Sequence, residues 1–67
     1  MKRDYGANRA LRRLLGERGM NAAELAARSG IHYGCLCRAL REERPLYADE
    51  LLPLARALGV SVETLLG

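Results

Sequence analysis

The sequence of 67 residues contains no Phe, no Trp and only two Cys. The β-branched residues are also few: they are Ile31, Val60, Val62 and Thr64. Most of the apolar residues are instead 13 Leu and 10 Ala, which rank highest in helix propensity. A chain of this length is one domain at most, because typical domains have about 100–150 residues. The composition therefore predicts one small all-α domain.

The sequence also lacks an apolar run of the roughly 18 residues that a membrane span needs. Its basic start, Met1–Arg3, leads into the polar residue Asp4 and not into the apolar segment of a secretory signal. Cys35 and Cys37 are separated by one residue and cannot join distant parts of a domain by a disulfide. We therefore expect a cytoplasmic chain without membrane contact, stabilised by its own core or by dimerisation.

Negative charge is scarce in the first half of the sequence. The chain has 11 basic and eight acidic residues, a net charge of +3. Residues 1–33 carry seven basic and three acidic residues, whereas residues 34–67 carry four and five. Ten of the basic residues are Arg, whose planar fork suits phosphate and guanine. This pattern favours nucleic acid as the partner, with a solvated charged surface as the alternative.

Glycines and capping patterns divide the sequence into five predicted helical segments. The first begins at Asn8, which has the side chain of an N-cap. The second opens at Asn21 with a capping-box pattern that Glu24 completes. Pro53 predicts a kink or a late start in the fourth segment. The segments are expected at residues 8–17, 21–30, 32–41 and 47–58, with a last turn after residue 61.

The second and third segments are joined by a turn of about four residues that contains Gly30, which is the arrangement of a helix-turn-helix. At about 100° per residue, the third segment has two different sides. The side expected to pack carries Cys35, Leu36, Ala39 and Leu40. The side expected to be free carries Tyr33, Gly34, Cys37, Arg38 and Arg41. One face therefore belongs to the core, and the other can contact a partner.

Four stretches of the sequence form a more specific pattern. They are NAAELAARSGI at residues 21–31, LCRAL at residues 36–40, RPL at residues 44–46 and LARALGVSVETLL at residues 54–66. Together they resemble the lambda-repressor-like helix-turn-helix family, also called the Cro/XRE type, over residues 8–66. The resemblance implies a compact five-helix domain at residues 8–67, preceded by an N-terminal tail at residues 1–7.

The resemblance also implies a function. Members place the third helix in the major groove of double-stranded DNA and usually act as homodimers on paired half-sites. We therefore expect sequence-specific DNA binding by a transcriptional regulator, of the repressor type found in phages, mobile elements or antitoxin operons. The residues expected to contact bases are Tyr33, Gly34, Cys37 and Arg38. Those expected to contact the DNA backbone are Asn21, Arg13, Arg41 and Arg44, and the expected dimer interface comprises Val60, Val62, Leu65 and Leu66.

Three positions depart from the family pattern. Ala22 stands where members commonly carry a Gln that supports a phosphate contact, and Glu42 stands where a Gly commonly follows the recognition helix. The start of that helix, at residues 32–35, is less polar than is common in the family. These departures keep a second hypothesis open, a protein-interaction module on the same fold that has lost DNA binding.

His32, Cys35 and Cys37 are close in the sequence and could be read as metal ligands. The two Cys lie about 200° apart on a helix, however, and a structural zinc normally takes four ligands. We therefore expect no metal or cofactor, with Cys35 as core filler and Cys37 as a surface thiol. No acid is evidently placed to orient His32 for nucleophilic catalysis, and so small a domain has little room for a substrate cleft. We expect neither enzymatic activity nor a small-molecule substrate.

Overall fold

A computed structural model describes residues 5–66, so residues 1–4 of the predicted tail and Gly67 lie outside the described residues. The described residues form five helices and no strand, which confirms the predicted all-α class. None of these helices is long and apolar enough to cross a membrane. The helices are α1 (Gly6–Arg18), α2 (Ala22–Ser29), α3 (Tyr33–Leu40), α4 (Ala48–Leu58) and α5 (Val62–Leu66).

Two of the helix starts follow from their side chains. The Oδ1 atom of Asn21 accepts a hydrogen bond of 2.8 Å from the backbone N–H of Glu24, which confirms the predicted N-cap. The Glu24 carboxylate does not complete a capping box, because it accepts a bond from Arg28 instead. At α4 the backbone N–H of Tyr47 donates to Glu50 at 2.9 Å. Local donors at these helix starts are therefore satisfied by nearby side chains.

Pro53 does not delay the start of α4, which begins at Ala48. The helix continues through Pro53, although proline has no N–H to donate to the carbonyl of Asp49. Asp49 is exposed, so water can reach that turn of the helix. The expected late start is therefore wrong, and the helix accommodates the proline at its solvent side.

The core lies where all five helices meet. Helix α1 packs against α3 and α5, α2 packs against α3 and α4, and α4 packs against α5. The buried cluster is almost entirely leucine, as the composition predicts. Its members are Leu11, Leu14, Leu15, Leu25, Leu36, Leu54, Ala55, Leu58 and Leu65.

Asn8 is buried, with 1% of its surface exposed, and it does not cap α1. The helix begins two residues earlier, at Gly6, so the predicted N-cap role is wrong. The Asn8 side-chain amide instead donates to the backbone carbonyls of Ala39 and Arg44, both at 2.9 Å. One side chain of α1 therefore binds the end of α3 and the loop that follows it.

We expect Asn8→Asp to destabilise the fold by about 2–4 kcal/mol. The replacement turns a donor of two buried hydrogen bonds into a carboxylate facing two carbonyl oxygens. Urea unfolding at neutral pH measures the change. Asn21→Asp is the matched control: Asn21 accepts its capping bond, and Asp caps a helix equally well, so its stability should change by less than about 0.5 kcal/mol. Equal stability of the two variants would contradict this role of Asn8.

Candidate nucleic-acid interface

The turn between α2 and α3 fixes the start of α3. Gly30 has a left-handed backbone with φ of 78°, and its N–H donates to the carbonyl of Ala26 at 3.0 Å. The Ser29 hydroxyl accepts a bond from the N–H of Ile31, which is half-buried against the core. His32 then caps α3, because its Nδ1 atom accepts a hydrogen bond of 3.1 Å from the backbone N–H of Gly34. Helix α3 therefore starts at a defined place relative to α2.

Gly34 lies in the first turn of α3, next to that cap. A Cβ atom at this position would stand 3.2 Å from Cε1 and 3.3 Å from Nδ1 of His32. Any larger residue would therefore press on the ring that accepts the capping bond. The glycine therefore leaves the capping ring of His32 undisturbed.

Helix α3 has one packed and one open side, as predicted. Leu36 and Ala39 are fully buried. Tyr33 is 54% exposed, and Arg38 and Arg41 are also exposed. The open side of α3 therefore carries one aromatic ring and two guanidinium groups.

The two cysteines exchange their expected environments. Cys35 is exposed and Cys37 is half-buried, so the prediction of Cys35 as core filler is wrong. On the helix, Cys35 lies at the border between the buried Ala39 and the exposed Arg38. Cys37 lies at the opposite border, beside Tyr33. A hydrogen bond with the Cys37 side chain raises the pKa of Tyr33 above its ordinary value.

Arg44 is buried, with 8% of its surface exposed, and its guanidinium is bound within the protein. Its Nε atom donates to the carbonyl of Cys35 at 3.0 Å, and two further nitrogens donate to the Glu50 carboxylate at 2.8 and 2.9 Å. The group also donates to Pro45 and lies over the ring of Tyr47. The expected phosphate contact of Arg44 is therefore corrected: the residue fixes the middle of α3 to the following loop.

The other arginines near this surface differ in their partners. Arg41 binds Glu43 and Arg9 binds Glu42, with shortest distances of 2.8 and 3.2 Å. Arg13 is 3.7 Å from Glu17, a loose pair between exposed side chains. Within residues 5–66, Arg38 makes no ion pair shorter than 4 Å. Arg38 is the arginine that the sequence predicts to contact a base. It is also the arginine on the open side of α3 that no carboxylate of the described residues binds.

The geometry is that of a helix-turn-helix, and comparison with known proteins agrees. The sequence profile of the Cro/C1-type HTH DNA-binding domain matches residues 10–67. The chain belongs to this family.

A solved structure supports this assignment. The Cro/C1-type domain is similar to the crystal structure of the restriction-modification controller protein C.AhdI from Aeromonas hydrophila. The sequences are 27% identical, the TM-score is 0.82, and the match covers 90% of this chain and 91% of that chain. The comparison with curated proteins gave no match.

The remaining expected site residues lie outside α3. In this Cro/C1-type domain Asn21 is exposed at the start of α2 and Arg13 is exposed on α1. Val60 and Val62 are half-buried, and Leu66 is 63% exposed. Leu65 has only 1% of its surface exposed because it packs into the core, so we remove it from the expected dimer interface.

The domain offers no group of three His, Cys, Asp or Glu side chains within the described part of the chain that could hold a metal ion. Sequence reasoning missed two groups that shape the surface of α3. Glu50 orders Arg44, and Glu43 binds Arg41. The sign of both pairs in the sequence is the cluster of basic and acidic residues that follows α3. Which of these residues pair depends on how the loop folds.

The Arg44–Glu50 pair makes the stability of the domain depend on pH. The hydrogen bond from Arg44 lowers the pKa of Glu50, so the carboxylate stabilises the fold above its unfolded-state pKa. This contribution should be lost as pH falls below the ordinary glutamate value of about 4.3 and through the lower folded-state pKa.

We expect Glu50→Gln to lower stability at neutral pH by about 1–3 kcal/mol and to reduce the further loss on acidification. Thermal unfolding at a series of pH values measures both effects. Glu63→Gln is the control: it removes an exposed carboxylate of α5 and should leave the pH profile close to that of the wild type. An acid transition that is unchanged in Glu50→Gln would contradict the role of this pair.

Proposed function

We propose that this chain is a sequence-specific regulator of transcription that inserts α3 into the major groove of duplex DNA. The observation that carries the proposal is the helix-turn-helix itself, in which the packed side of α3 leaves Tyr33 and Arg38 exposed. Membership of a DNA-binding domain family supports it. An α-helix fits the width of the major groove, where each base pair presents its own pattern of donors and acceptors.

In this proposal the residues that contact base edges are Tyr33, Gly34, Cys37 and Arg38. Arg38 is the main reader, because its fork, which no carboxylate of residues 5–66 binds, can donate to O6 and N7 of guanine. Cys35, which is exposed at the border of the same surface, joins this group as a contact at its edge. The DNA backbone is contacted by Asn21, Arg13 and Arg41.

We further propose that two copies bind a pair of half-sites through an interface formed by Val60, Val62 and Leu66. Leu66 is the most exposed large apolar residue among residues 5–66, and it ends the last described helix. A two-fold pair would place its two recognition helices about 34 Å apart, one turn of DNA. Sedimentation with and without duplex tests the interface, and a strict monomer in both conditions would contradict it.

The regulatory setting is inferred from the sequence and from the similar structure. The similar protein is described as a restriction-modification controller, and this description supports a regulatory role. We place the present chain in the same broad class, with repression in a phage, a mobile element or an antitoxin operon as the form that the sequence favours. Such a regulator would act in the cytoplasm, on the DNA that carries its own operator.

The proposal predicts a specific effect of Arg38→Ala. Selection of bound sequences from a random duplex library should show lost preference at one base pair of each half-site, equivalent to about 1–3 kcal/mol of discrimination. Wild-type affinity should fall with salt, with a slope of about −0.9 for each phosphate neutralised, and this slope should change little in the variant. Arg56→Ala, at an exposed position of α4, is the matched control and should keep the motif.

Two results would count against the proposal. An Arg38→Ala variant that keeps the full motif with lower affinity would show that Arg38 contacts the backbone and does not read a base. Absence of binding to any duplex at low salt would favour the second hypothesis, a protein-interaction module on this fold.

A further inference from the structure

The two acidic residues that follow α3 each bind an arginine, and for Glu43 that arginine, Arg41, belongs to the proposed DNA surface. Glu42 has a left-handed backbone with φ of 59°, at the position where the family commonly has glycine. The chain therefore turns sharply, and the N–H of Glu43 donates to the carbonyl of Arg38 at 2.8 Å. This turn places the Glu43 side chain against the end of α3.

Glu43 binds Arg41 through both carboxylate oxygens. The Nε atom of Arg41 donates to Oε2 at 2.8 Å, and a terminal nitrogen donates to Oε1 at 3.3 Å. The hydrogen bond from Arg41 lowers the pKa of Glu43, which is therefore anionic at neutral pH. One full edge of the Arg41 guanidinium is thus occupied before any partner arrives.

The occupied edge is one of the two edges of the guanidinium that can bind a phosphate. A guanidinium binds carboxylate and phosphate with the same pair of parallel N–H donors, so the two acceptors compete for it. Both side chains are largely exposed, at 62% for Arg41 and 50% for Glu43. Exposed ion pairs are weak, so phosphate can displace Glu43, but each displacement lowers the net gain from the DNA contact.

Arg38 differs from Arg41 in this respect. The backbone carbonyl of Arg38 accepts a hydrogen bond from the N–H of Glu43, but no hydrogen bond or ion pair joins the two side chains within the described residues. The acidic residue therefore restrains the arginine proposed to contact the backbone and leaves the proposed base reader available.

We propose that Glu43 is an intramolecular competitor for DNA phosphate, which restrains Arg41 and thereby weakens binding to duplex DNA of any sequence. The inference rests on the proposed DNA-binding function. Its consequence is that backbone attraction contributes less to total affinity, and base contacts by α3 contribute a larger share. A protein of this kind dissociates more readily from DNA that lacks its operator.

The test compares Glu43→Gln with the wild type on two duplexes of unrelated sequence. Removal of the carboxylate should tighten binding about threefold to tenfold at low salt, equally on both duplexes, and should steepen the salt slope by up to about 0.9. Asp49→Asn makes the same change of net charge at an exposed position of α4, on the same side of that helix as Arg56, and should alter affinity by less than about twofold, because salt screens distant charges.

A second pair of variants tests whether Arg41 carries the effect. In an Arg41→Ala background, Glu43→Gln should change affinity by less than about twofold, because the residue that the carboxylate restrains is gone. Thermal unfolding verifies that all variants fold, which we expect because both side chains are exposed.

Two outcomes would overturn the inference. One is equal tightening by Glu43→Gln and Asp49→Asn, which would indicate net charge alone. The other is tightening that persists in full without Arg41, which would indicate direct repulsion between Glu43 and DNA. Failure of the wild type and every variant to bind duplex at low salt would instead reject the proposed function, so the two failures are distinguishable.

Discussion

The position of α3 depends on two polar side chains that bind its backbone. The helix has eight residues and buries only Leu36 and Ala39, so apolar packing alone constrains it weakly. Asn8 donates to the carbonyl of Ala39, and Arg44 donates to the carbonyl of Cys35. Because Asn8 also binds the carbonyl of Arg44, the first helix, the third helix and the following loop are joined in one network. The surface offered to DNA is therefore only as well ordered as this network.

The charges near α3 divide into structural, restrained and available groups. Arg44 is structural, since Glu50 and backbone carbonyls occupy its donors. Arg41 is restrained by Glu43 at the exposed end of the helix. Arg38 is available, because no carboxylate of the described residues binds it. A count of arginines alone overstates the attraction of this surface for phosphate, and the difference favours recognition by base contacts over recognition by charge.

The sequence predicted what depends on neighbouring residues and missed what depends on distant ones. The five helices, the Asn21 cap and the packed side of α3 follow from propensity, capping chemistry and helical period. Asn8 is of a residue type that often caps helices, but its side chain binds carbonyls 31 and 36 residues away in the sequence. A local pattern does not predict such contacts. Cys35 was misplaced because it lies at the border of the helix face, where exposure depends on whether a neighbouring element covers it. Arg44 and Leu65 are buried, although the sequence predicts both at the surface. Their burial depends on how the loop after α3 and helix α5 pack against the rest of the domain.

We propose that the open side of α3 is the surface that contacts duplex DNA. The most direct measurement is a titration of the isotopically labelled protein with duplex DNA at low salt, followed through the backbone amide resonances. The amide chemical shifts of Tyr33, Cys35 and Arg38 should change first and by the largest amount. Those of Leu52 and Arg56 on α4 should not change. Movement confined to α4, with α3 unchanged, would contradict it.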